Sequence, residues 1–84
     1  MTYTDAKDTI INVIRNRVAM LNMYEKTDDV VPETVERFRN EISGMLICLK
    51  NISSTNEFWC INYLEDCTEF GYYDENGQWV SVEK

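Results

Sequence analysis

The chain has 84 residues, of which 44% are hydrophobic and 27% charged, with a formal net charge of −7 and no histidine. That length makes one domain with a small core, and the composition is too apolar for a disordered chain. The negative charge repels nucleic acid and anionic membrane surfaces, so the electrostatic partners it selects are basic proteins.

The expected fold class is α+β: an N-terminal antiparallel helical hairpin followed by a small C-terminal antiparallel β-meander, in a single domain over residues 1–84. Helix 1 is expected over 4–26. Thr4 suits its N-cap, and Asp5 and Asp8 lie in the first turn, where the helix dipole favours carboxylates. Ile11, Ile14, Val18 and Leu21 recur at three and four residues, and Ile10, Val13, Met20 and Tyr24 widen the stripe. So broad an arc predicts more than one packing neighbour. Thr27, Asp28 and Asp29 end the helix.

Helix 2 is expected over 32–52. Pro32 suits a first turn, where its missing N–H would have no partner anyway. Val35, Phe38, Ile42, Met45, Leu49 and Ile52 keep the three-four rhythm, while Ile47 and Cys48 ride outside the seam. Glu33–Arg37 and Arg37–Glu41 are spaced for exposed ion pairs. Gly44 weakens a helix by about 1 kcal/mol relative to alanine, which predicts a close helix contact there. The short linker predicts an antiparallel pair.

Residues 57–83 form an acidic, aromatic, β-rich segment. Phe58–Leu64, Glu69–Tyr73 and Gln78–Val82 read as three strands separated by turn-like sequence. Asn76-Gly77 between aromatic runs is the clearest hairpin signal in the chain. The alternative is a third short helix at 55–66, because Ser54 and Glu57 are spaced as a capping box.

Charge divides the chain in the same place. Residues 1–50 hold eight acids and seven bases, whereas residues 51–84 hold seven acids (Glu57, Glu65, Asp66, Glu69, Asp74, Glu75 and Glu83) against Lys84 alone. Seven of the ten aromatic residues also lie in 51–84.

The chemistry of an enzyme is thin. Histidine, the commonest general base and metal ligand, is missing. Gly44, Gly71 and Gly77 are too dispersed for a phosphate-cradling loop. Cys60 and Cys67 are too far apart for a Cys-x-x-Cys pair, and acidic neighbours raise rather than lower a thiol pKa. Three cysteines read as free thiols in a reducing compartment. No catalytic residue, metal or cofactor is expected. Asp74, Asn76, Gly77 and Glu83 have partial calcium-loop spacing, but Tyr72 would occupy the first ligand position, and a hairpin explains Asn76-Gly77 with fewer demands. The stretch from Gly71 to Val80 resembles one hairpin of the aromatic repeats in cell-wall-binding modules. Those modules stack several repeats, so the likeness here is one of shared turn chemistry.

With no signal-like start and no apolar run near the ~20 residues of a membrane span, the expected compartment is the cytoplasm. The function expected is that of a non-enzymatic acidic protein-binding module, an inhibitor or regulator of the phage or mobile-element type. It would occupy the basic, nucleic-acid-binding surface of a partner protein, with carboxylates standing in for phosphates and aromatic residues as anchors. The expected contact residues are Glu57, Trp59, Glu65, Asp66, Glu69, Tyr72, Asp74, Glu75 and Trp79. The alternative is a small structural protein that forms a homodimer through its helical hairpin.

Overall fold

A computed structural model describes residues 3–53, 56–65 and 67–82. Two helices, α1 (Tyr3–Glu25) and α2 (Pro32–Ile52), precede three strands, β1 (Phe58–Tyr63), β2 (Thr68–Tyr73) and β3 (Trp79–Ser81). The order matches the expected helical hairpin and meander. The stretch assigned to a third helix in the alternative holds β1, as its β-branched and aromatic residues favour. Ser54, half of the supposed capping box, lies outside the described residues.

The three-four stripes become the core. Ile14, Val18 and Leu21 of α1 and Ile42 and Leu49 of α2 are buried together with Trp59 and Phe70 from the sheet. α1 packs against both α2 and β2, and α2 against both α1 and β1, which accounts for the breadth of the apolar arcs. Val13 and Met20, at the margin of that arc, stay exposed.

α1 already includes Tyr3, so it begins one residue before the expected cap at Thr4. It ends as expected: Thr27 turns its N–H and its hydroxyl onto the Tyr24 carbonyl (3.0 and 2.7 Å). The Tyr24 hydroxyl then accepts the Val31 N–H at 2.8 Å, and its ring meets Phe38 at 6.1 Å. One side chain thus ties the interhelical linker to both helices. Pro32 occupies the first turn of α2.

Two expectations for α2 need correction. Gly44 is exposed, and a Cβ placed on it would meet nothing within 4 Å, so no helix approaches there. Glu41 lies 3.7 Å from Arg17 across the hairpin, so its ion pair joins the two helices and not neighbouring turns of one helix.

The sheet is antiparallel with order β1-β2-β3. Trp59 faces Tyr72, Ile61 faces Phe70, and Tyr63 faces Thr68; on the second ladder Tyr72 faces Val80. Side chains alternate faces along a strand, so these residues lie toward the helices. Phe58, Cys60, Asn62, Glu69, Tyr73, Trp79 and Ser81 lie on the outer face.

The β2–β3 hairpin is built from Asp74 and Gly77. Gly77 N–H donates to the Asp74 carbonyl and Asp74 N–H to the Gln78 carbonyl, both at 2.9 Å. Gly77 has φ 77°, and no other residue type shows positive φ among the described residues. Asn76 therefore does not adopt the left-handed pair of a two-residue turn. The loop is the three-residue kind, a turn followed by a left-handed glycine.

Candidate functional site

The aromatic residues of the acidic half divide between the two faces of the sheet. Trp59 is 2% exposed, with its ring 5.4 Å from Phe70 and 4.8 Å from Tyr72. Tyr72 is half-buried beside it. Both belong to the helix-facing side. Trp79 lies on the other face, half-buried, with its ring 5.1 Å from Tyr73.

The outer face has a clear organisation. Phe58 faces Tyr73, and Tyr73 faces Trp79, so three aromatic rings form one row across all three strands. Phe58 is 60% exposed and Tyr73 37%. Gly71 sits two residues before Tyr73 on the same face. A Cβ there would lie 2.2 Å from the Val80 carbonyl oxygen and 2.9 Å from Cζ2 of Trp79, so only glycine lets the indole settle across β2. Further along the face stands Glu69, half-buried and opposite Asn62. The three strands contain no Lys or Arg. A cation does reach this face at its edge, where Lys50 Nζ lies 4.9 Å from the centre of the Phe58 ring.

The carboxylates serve different ends. Glu57 forms an ion pair with Lys7 of α1 and accepts the Trp59 indole N–H at 3.3 Å, so it fastens the start of β1 to α1. Asp74 accepts the N–H groups of Asn76 and Gln78, each at 2.9 Å, through one carboxylate oxygen. It is the cap of the hairpin loop. Glu65 and Glu75 are exposed. They sit in turns at opposite ends of β2, and six strand residues at about 3.3 Å each separate them by roughly 20 Å. Asp66 lies outside the described residues.

The outer face thus gathers Trp79 and Glu69 from the nine expected contact residues, with Glu75 in the loop beyond the aromatic row. Phe58 and Tyr73 were not in that set. The signal for them was the period of two: in Tyr72-Tyr73, as in Phe58-Trp59, consecutive rings must point to opposite sides of a strand. Trp59 and Tyr72 share the apolar side with Ile61 and Phe70, which leaves their sequence neighbours Phe58 and Tyr73 on the outer face.

Other chemistry is sparse. Cys48, Cys60 and Cys67 are free thiols. Among the described residues no group of three His, Cys, Asp or Glu side chains is placed to hold a metal ion, and no helix is long and apolar enough to cross a membrane. No protein family matches the sequence, and no curated protein or solved structure is similar enough to count as a match.

Proposed function

We propose that this chain is a non-enzymatic protein-binding module whose outer sheet face docks onto a basic surface of a partner protein. The observation that supports this most is the row Phe58–Tyr73–Trp79 on the face that the helices leave open, set among acids and in strands without a single base. Tyr and Trp are effective interface anchors. Their ring faces also attract Arg and Lys, as Lys50 over Phe58 already illustrates within the chain. Glu69, Glu75 and Glu65 would set the sign of the field that steers such a partner. A surface that binds nucleic acid has the required charge. The finer reading is therefore an inhibitor or regulator, of the kind carried by phages and mobile elements, that blocks such a surface.

Paired affinity capture tests this reading. Wild type and a Tyr73→Ser/Glu69→Lys variant are used side by side at low and high salt. The reading predicts basic proteins retained by wild type at low salt, reduced at high salt, and lost with the variant. Identical captures by both proteins would contradict it.

A further inference from the structure

Among the described residues β1 is an edge strand, with β2 as its one neighbour in the sheet. Val82 N–H donates to the Phe70 carbonyl (3.0 Å), so Phe70 directs its backbone groups toward β3, and Ile61, which faces Phe70, directs its own away from β2. Leu64 N–H donates to the Cys67 carbonyl (2.8 Å), which fixes the same parity at the other end of the strand. Because these groups alternate along an antiparallel ladder, Trp59, Ile61 and Tyr63 all present N–H and C=O to the open edge. Among the described residues no backbone group meets them.

Edges are normally blunted by charge, proline, a bulge or brevity. β1 is Phe-Trp-Cys-Ile-Asn-Tyr, six residues without charge or proline and in unbroken register with β2. β3, on the far side, is only three residues long. Exposed apolar side chains also collect at the ends of β1: Phe58 at 60%, Leu64 at 51% and Tyr63 at 39%.

We propose that two copies of this chain join through the open edges of β1, antiparallel about a two-fold axis at Ile61, to make one six-stranded sheet. In that register Ile61 pairs with itself and Trp59 with the second copy's Tyr63, so the edge N–H and C=O groups of all three residues are engaged, including the Ile61 carbonyl that meets only the weak donor Cys60 Sγ at 3.8 Å. On the outer face Phe58 falls opposite the second copy's Leu64, and Cys60 opposite its Asn62. Exposed Phe58 thus meets an apolar residue. The second copy's Glu65 falls opposite Glu57, whose charge Lys7 already offsets, and Lys50 over the neighbouring Phe58 supplies a cation at the same end of the strand. These matches occur twice by symmetry, which favours a second copy over an unrelated strand. The interface is made by the backbone edge of β1 and shares only Phe58 with the aromatic row, so it does not depend on a basic partner.

Light scattering on the intact chain over a range of concentrations tests the pairing. The mass should rise from 9.9 kDa to twice that value. Tyr63→Pro removes an N–H that no ladder uses, so it should leave the fold intact and weaken association by at least about tenfold. Tyr63→Ala, which keeps the N–H, should still dimerise. Should Tyr63→Pro fail to fold, amide exchange in wild type reads the same edge: the Trp59, Ile61 and Tyr63 amides should gain protection as concentration rises. A mass of 9.9 kDa at every concentration, with those amides exchanging freely, would overturn the proposal. So would a dimer that Met20→Asp on the helical hairpin abolishes and Tyr63→Pro leaves unchanged, or a mass that climbs beyond two copies.

Discussion

The side-chain amide of Asn22 pairs with both backbone groups of Thr68: Thr68 N–H donates to Oδ1 at 2.7 Å, and Nδ2 donates to the Thr68 carbonyl at 3.0 Å. Thr68 points these groups to the side of β2 where β3 runs, but the described part of the β2–β3 ladder reaches only as far as Phe70 and Val82. An α1 side chain thus does the work of a strand and locks the sheet onto the hairpin. Thr68 is 1% exposed, so Asn22→Ala would leave two buried groups unpaired. We expect a loss of about 2–4 kcal/mol in chemical denaturation, with no change in the slope of the transition.

The glycines make opposite predictions. Gly71→Ala drives a Cβ into the Val80 carbonyl and the Trp79 ring, and should destabilise by about 3 kcal/mol or more. Gly44→Ala adds a methyl group to open space on an exposed helix face, and should stabilise by roughly 0.5–1 kcal/mol. Thermal melts of the two variants should therefore shift in opposite directions from wild type.

Ile42 is fully buried between the helices and the sheet. Ile42→Ala should cost about 2–5 kcal/mol, a large share of a small domain's stability. A melt within a degree or two of wild type would contradict the packing of the hairpin.

The two tryptophans separate core from surface. Trp59→Ala removes a buried ring and should destabilise by about 3–5 kcal/mol. Trp79→Ala removes a half-buried ring from the outer face, so its loss of stability should be distinctly smaller and its main effect a faster dissociation of the partner. Measuring unfolding and dissociation on both variants tests this assignment.

The helices and strands were legible in the sequence because their signals are local. Ile11 to Leu21 and Val35 to Leu49 repeat with the period of a helix, Pro32 marks a start, and Asn76-Gly77 marks a hairpin. The site was less legible because it depends on registration between strands. Trp59 and Trp79 have the same chemistry, and only the pairing of Trp59 with Tyr72 and of Trp79 with Tyr73 separates the core ring from the surface ring. Glu57 and Asp74 are among the expected contact residues, yet one is bonded to Lys7 from fifty residues away and the other to its own loop. Gly44 misled for the opposite reason: helix propensity gives the penalty of a glycine but not whether any neighbour makes use of it.

The proposed docking of the outer sheet face onto a basic partner rests on its rings and carboxylates. The most direct measurement is the association rate with the captured partner, as a function of salt, for two charge-reversal pairs. Glu69→Lys with Glu75→Lys alters the sheet side; Glu33→Lys with Glu41→Lys alters α2. The sheet pair should slow association and flatten its salt dependence, because those charges steer the encounter, while the α2 pair should leave both nearly unchanged. Equal effects from the two pairs, or none from the sheet pair, would contradict it.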